Sequence, residues 1–203
     1  MKPARLPFMD GLVRAIMARE KTVTRRLVAG AVASAVEAFE LETGEWAFSE
    51  GQSQDDGSSL VIAHLSCKYG PVGRVLAICE GLRAAEWFAG DARDDDAVQY
   101  TADGDYVWDV TRPAQWPWKV RRLASMYCPT WAVRTRRRVT SIRPERLSAI
   151  TDAEARLEGL SFLDGVEPTR DGFLSLWDGM YAARGQGIAA DPCYLDIAIP
   201  PGG

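Results

Sequence analysis

The chain has 203 residues, 47% of them apolar and 26% charged, with a formal net charge of −4. That length suits one domain carrying a generous insertion, and that composition excludes global disorder. No run approaches the roughly 20 apolar residues of a membrane span, and the opening residues 1–7 lack the apolar core of a signal peptide, so a cytoplasmic protein without a membrane partner is expected.

In chain order, Phe8, Met9, Leu12, Val13, Ile16 and Met17 recur at helical spacing over 8–18, with Asp10 placed to cap the N-terminal end. The helix should end near Arg19 and Glu20. Residues 21–26 then read as a turn leading into an extended segment, because Thr and Val favour strands. Residues 28–40 are rich in Ala and Val and read as helical, whereas 50–59 form a polar Gly/Ser loop. A turn over 69–73 feeds a short apolar strand at 74–79. Segments 98–101 and 106–110 flank Ala102-Asp103-Gly104-Asp105 as a hairpin. Residues 130–142 alternate enough to be one long strand. Thr151 caps a helix over 152–158, Glu154 completes a capping box, and Gly159 stops the helix. A further helix spans 173–183, with Phe173, Leu176, Trp177 and Met180 on one face, and 193–199 ends the fold as a strand. Strands outnumber helices and lack regular helical crossovers, which predicts an α+β fold around a mixed or antiparallel barrel.

The four cysteines (Cys67, Cys79, Cys128, Cys193) form no CxxC pair and the sole histidine is His64, so neither a metal site nor a cofactor is expected, and the thiols read as reduced, buried groups. Charge is segregated. Residues 112–146 carry ten Lys or Arg against Glu145 alone, and the first 26 carry seven against Asp10 and Glu20. Such stretches create a local positive field or are simply solvated faces.

Common hydrolase and nucleotide-binding signatures are missing, which leaves Lys, Thr or Ser, Tyr and carboxylates for chemistry. Lys21-Thr22-Val23-Thr24 is the most suggestive arrangement. A lysine beside a hydroxyl serves as its base once burial or nearby cations lower its ordinary pKa of roughly 10.4; Arg25 and Arg26 are such cations. A basic turn after a helix is also what plain surface looks like. Glu158, at a helix C-terminus, faces the negative end of the dipole, a mild penalty compatible with function or with ordinary surface.

Two segments resemble a known family. Residues 16–26, ending Lys21-Thr22-Val23-Thr24-Arg25-Arg26, resemble the ASCH-domain pattern I-L-x-G-x-K-T-x-T-x-R, and residues 150–160 resemble the family's A-x-x-E-G helix. Residues 67–76, 126–134, 176–178 and 191–192 are similar in turn to longer ASCH-like proteins of phages and prophages. The resemblance covers most of the chain as a single domain over 1–203, with insertions at about 28–66 and 80–97. It implies a PUA-like mixed β-barrel flanked by helices. It also implies a metal-independent amidohydrolase acting on N4-acylated cytosine or cytidine, with Lys21, Thr24 and Glu158 as catalytic residues. Arg26, Glu80, Tyr127 and Trp131 are expected to bind substrate. The chain departs from the pattern at Arg19-Glu20, where a small residue or glycine is usual, and at 76–82, where Cys79 and Leu82 replace an Arg and a Trp.

On this reading Lys21 takes a proton from Thr24 or from a water that Thr24 positions, and Glu158 holds the base or protonates the leaving nitrogen. A non-catalytic RNA- or DNA-binding module, using the basic 112–146 stretch on phosphates, is the first rival. A ribonuclease on the same barrel is the second.

Overall fold

The computed structural model describes residues 3–27, 37–40, 46–52, 59–65, 69–86 and 97–201. In chain order they form β1 (Ala4–Pro7), α1 (Asp10–Met17), β2 (Val23–Leu27), β3 (Glu37–Glu40), β4 (Trp46–Gln52), β5 (Ser59–Leu65), β6 (Val75–Cys79), β7 (Leu82–Ala85) and β8 (Ala97–Tyr100). Then come β9 (Trp108–Asp109), β10 (Arg112–Pro113), β11 (Arg122–Leu123), β12 (Thr135–Arg138), β13 (Ser141–Arg146), α2 (Asp152–Leu157), α3 (Arg170–Tyr181) and β14 (Cys193–Ala198).

Two three-stranded sheets share the main core. One has the order β1-β6-β12, with β1 parallel and β12 antiparallel to β6. The other is antiparallel, in the order β13-β14-β2. Leu6, Leu76 and Ile78 of the first pack with Leu195 and Ile197 of the second, and α1 adds Val13 and Ile16. Each such aliphatic side chain contributes about 1.5–3 kcal/mol when fully buried. Strand β6 is buried on both faces: Leu76 and Ile78 belong to this core, while Ala77 and Cys79 join a second one with Leu82, Val98, Tyr100 and Leu123. The second core lies at the β11-β7-β8 sheet. A third core joins α2 and α3 to the back of β14 through Ala155, Phe173, Trp177 and Tyr194.

The fold is therefore mixed α+β. The expectation of a closed barrel is not met among the described residues, whose strands pair into several small sheets. The stretch 130–142 is not one strand. Thr130–Ala132 is a 3-10 turn, β12 follows, and the chain changes sheets at Val139 and Thr140. Val139 still exchanges backbone bonds with Arg74 and Gly73 at the edge of the first sheet, whereas the Thr140 N–H already donates to Ala198 of the second. Val139 is itself buried, so the corner is held by core packing and not by turn residues.

Residues 37–40, expected to be helical, are a strand in the antiparallel β3-β4-β5 sheet; residues 28–36 lie outside the described set. That sheet also takes Glu50–Gln52 and Ser59 out of the expected loop and places His64 opposite Ala47. The expected 98–110 hairpin forms only near its turn, where Gln99 bridges Tyr106; Trp108 and Asp109 pair with Pro113 and Arg112 instead. Asp10 is the first helical residue, not the cap. Its carboxylate accepts from Thr101 (2.6 Å) and pairs with Arg122 (3.1 Å). Helix α3 begins three residues earlier than expected because Thr169 caps it, accepting from the Gly172 N–H at 3.1 Å. Cys79, Cys128 and Cys193 are free and buried; Cys67 lies outside the described residues. Among the described residues no helix is long and apolar enough to cross a membrane.

Candidate active site

Two helix endings build the site. At the end of α1 the Arg19 N–H donates to the Ile16 carbonyl (3.2 Å) and the Glu20 N–H to Ala15 (2.9 Å), with Arg19 left-handed at φ 66°. This is a Schellman closure, which normally takes glycine at that position. This chain carries an arginine in that conformation. The reversal turns Lys21 back over the helix end, where its N–H also reaches Ala15 (3.1 Å).

The second ending is that of α2. The Thr151–Glu154 capping box forms as expected, Glu158 is the C-cap, and Gly159 is left-handed at φ 76°. A Cβ on Gly159 would stand 2.6 Å from the Ala15 Cβ and 2.9 Å from the Lys21 Cβ. Gly159 thus does more than stop a helix: it lets the two helix endings touch. Gly11 does the same on α1, where a Cβ would lie 2.4 Å from the Phe162 carbonyl. Backbone bonding fixes the register, since the Thr22 N–H donates to Leu157 at 3.0 Å.

Lys21 and Glu158, 137 positions apart, meet here. The Lys21 amine donates to the Glu158 backbone carbonyl at 2.9 Å and to its carboxylate Oε2. Lys21 is 1% exposed, Thr24 2% and Glu158 5%. Burial pushes the Lys21 amine below its ordinary value; Glu158 opposes this, and Arg26 and Arg25 lower it further. The other carboxylate oxygen of Glu158 accepts from the Arg25 backbone N–H at 2.8 Å and from its guanidinium at 3.3 Å.

Lys21, Thr24, Arg25, Arg26 and Glu158 form the polar floor of a cavity of about 130 Å³, with walls from Phe8, Leu12, Leu160, Phe173 and Trp177. That is close to the roughly 150 Å³ at which an apolar protein cavity accepts one benzene-sized ring. Met9 and Met180 stand at the cavity with nearly half their surface exposed. Arg26 donates to the Pro7 carbonyl (3.1 Å) and lies 5.0 Å over the Phe8 ring.

Four of the seven expected site residues (Lys21, Thr24, Arg26, Glu158) therefore border one cavity; Glu80, Tyr127 and Trp131 do not. Glu80 is fully buried and clasped by Arg134, which donates through Nε (3.0 Å) and Nη2 (2.7 Å). Arg134 also pairs with Asp103 and Asp105 and lies 3.8 Å over Tyr100. Tyr127, on a 3-10 turn, is 66% exposed, and Trp131 is 53% exposed and stacks on Trp118. Sequence neighbourhood does not say which face of a turn points where, and the structure does not bring these three to the cavity of Lys21 and Glu158. Arg25 and the aromatic walls were missed, although the Phe173–Trp177 spacing that forms one wall was visible. Among the described residues no group of three or more His, Cys, Asp or Glu is placed to hold a metal ion.

No family model matches the chain, and no curated protein or solved structure does either.

Proposed function

We propose that the chain is an ASCH-like amidohydrolase that removes the acyl group from N4-acylated cytosine or cytidine. The observation that carries this reading is the convergence of Lys21, Thr24 and Glu158 on the floor of one ring-sized cavity, with the amine almost dry.

A neutral amine has two N–H bonds and one lone pair. Glu158 accepts both N–H bonds, through its backbone and its carboxylate, which leaves the lone pair for an incoming proton. Lys21 takes that proton from the Thr24 hydroxyl or from a water beside it, and the oxygen attacks the acyl carbon. The tetrahedral intermediate collapses, the C–N bond breaks, and the exocyclic nitrogen leaves with the proton that Lys21 has taken, relayed with Glu158. Attack by water releases the acid directly. Attack by Thr24 leaves an acyl ester on its oxygen, which a water deprotonated by the regenerated Lys21 hydrolyses to the free acid and the Thr24 hydroxyl. The Arg26 guanidinium, which lines the cavity, supplies positive charge for the oxyanion. General base catalysis of this kind supplies about 10²–10⁴ in rate. Incubation with N4-acetylcytidine should release cytidine and acetate, and Lys21→Ala should abolish release while the variant stays folded. Turnover by that variant at the parent rate sinks the assignment.

A second reading, a nucleic-acid-binding module, is favoured by one observation. Trp108, Arg112, Gln115 and Trp131 line a separate cleft of about 420 Å³. Trp118 stacks on Trp131 at 6.0 Å and 14°, and residues 108–122 hold Arg112, Lys119, Arg121 and Arg122 against Asp109. Aromatic platforms beside arginines take unstacked bases at about 1–3 kcal/mol each. Binding of a single-stranded RNA that weakens steeply with salt and is lost in Trp108→Ala/Trp131→Ala supports this reading; a flat salt response removes it.

A further inference from the structure

Arg25 occupies a position that the K-T-x-T-x-R pattern leaves unspecified, yet its side chain is buried at the cavity among two aromatic rings and three carboxylates. Its guanidinium lies 5.3 Å from the Tyr194 ring centre and 5.9 Å from that of Phe173. Asp196 and Glu154 carboxylates lie 3.8 Å from Nη2. Its side chain is 1% exposed. Strand β2 is the edge of its sheet, so the Arg25 N–H meets no neighbouring strand and turns to Glu158 instead.

We infer that Arg25 is a positioning residue for the Lys21–Glu158 pair: its backbone N–H and guanidinium together hold one carboxylate oxygen of Glu158, so that the other is the one presented to Lys21. The geometry is an asymmetric clamp. Oε1 receives two Arg25 donors, at 2.8 and 3.3 Å, and Oε2 receives the amine. A carboxylate held at one oxygen by Lys21 alone could rotate about its terminal torsion, which is broad; with both oxygens engaged from opposite sides it cannot.

The clamp also carries charge. Lys21, Glu158 and Arg25 together hold one net positive charge when all are ionised, in a site almost without water. A guanidinium does not give up its proton, so the amine is the group that relieves the excess. The charged groups facing the cluster are Arg26 on the Lys21 side, and Asp196 and Glu154 on the far side of Arg25, with the neutral Tyr194 phenol beside them. Arg143, 2.9 Å from Asp196 and 4.0 Å from Glu154, answers those two carboxylates in turn. The direction agrees with the depressed Lys21 amine, to which Arg25 contributes.

This inference rests on Lys21 acting as a base, and its test separates the two. Three variants serve: Arg25→Lys, which keeps the charge but loses the fork; Arg25→Gln; and Arg25→Gln/Asp196→Asn, which removes a facing carboxylate with the cation so that the fold is retained. Thermal unfolding reports folding. The pH midpoint of Lys21 modification by 1-fluoro-2,4-dinitrobenzene, read by mass spectrometry, reports the amine without any substrate. The pH profile of kcat on N4-acetylcytidine reports the clamp. In both Gln variants the labelling midpoint should move to higher pH, with the neutral-amine fraction at neutral pH falling about tenfold or more, and the acidic limb of kcat should move with it. Arg25→Lys should keep the midpoint and lose kcat without a matching change in KM. Folded Gln variants with the parent midpoint and the parent kcat overturn the inference, as does an effect confined to unfolding temperature. If the parent protein does not hydrolyse the substrate, the amidohydrolase reading fails, while the labelling midpoint still decides for or against Arg25.

Discussion

Glu80 and Glu158 are both buried carboxylates held by an arginine, and of the two it is Glu158 that shares a cavity with Lys21. Glu80 meets a two-pronged guanidinium that is itself shared with Asp103 and Asp105 and stacked on Tyr100. The Arg134 guanidinium thereby ties Glu80 at the end of β6 to the 103–105 turn. Burial raises the Glu80 pKa while Arg134 opposes the rise, the balance of a clasp. Glu158 instead divides its oxygens between a guanidinium and an amine whose pKa burial depresses, and all three residues line the cavity. A perturbed ionisable group is thus a poor guide to chemistry alone; a transferable proton beside a cavity is the better one.

The contrast breaks most sharply under substitution of the two sites. Lys21→Met should lower kcat/KM for N4-acetylcytidine by about 10²–10⁴ with a smaller loss of stability than at Glu80, because Met fills the volume of the stem and the Glu158 carboxylate keeps its two Arg25 donors. Glu80→Ala should do the reverse. It leaves a partly buried guanidinium short of its main partner, costs about 3–5 kcal/mol in urea unfolding, and leaves kcat per folded molecule at the parent value. Loss of kcat in folded Glu80→Ala would merge the two sites.

Gly159→Ala sharpens the comparison at intermediate size. The methyl group would meet Ala15 and Lys21 within 3 Å from a left-handed backbone, an overpacking worth about 1–3 kcal/mol. Because the strain falls on the Lys21 backbone, activity should fall together with stability. No comparable coupling is expected at Gly104, where an added Cβ finds its nearest atom 3.6 Å away.

Proton linkage separates the sites again. Lys21 is depressed below its unfolded value of 10.5, so the unfolded chain binds more protons between the two values. Stability is therefore reduced at neutral pH and rises as pH climbs toward 10.5. Lys21→Met should abolish that alkaline rise in denaturant unfolding measured from pH 7 to 10.5, whereas Glu80→Ala should preserve it. Parallel curves for the parent and Lys21→Met would mean that the amine is not depressed.

Much of this site was legible along the chain, and the reason is local. Thr151, Glu154 and Gly159 announce a capped and terminated helix because each answers an unpaired backbone group within a few residues. The apolar spacing of α1 is equally local. What was not legible depends on long-range packing. The sheet change at Val139 and Thr140 has no Gly or Pro to mark it and exists because two sheets compete for consecutive residues. Glu80 looked like a pocket residue until Arg134, 54 positions away, was seen to enclose it. Arg25 reads along the chain only as a cation beside Lys21, because its partners Asp196 and Glu158 lie far away in sequence.

Arg19 is the smallest case and the most direct. A left-handed arginine costs roughly 1 kcal/mol relative to glycine, and nothing in the residue type betrays the conformation, which is why the helix ending was placed there without its geometry. If the Schellman closure is what delivers Lys21, Arg19→Gly relieves strain without moving the amine. Unfolding free energy should rise by about 1 kcal/mol, less whatever entropy the flexible residue returns to the unfolded chain, and kcat should stay unchanged. A destabilised Arg19→Gly would mean that the arginine side chain itself anchors the turn, and the delivery of Lys21 would then depend on that side chain and not on the backbone reversal.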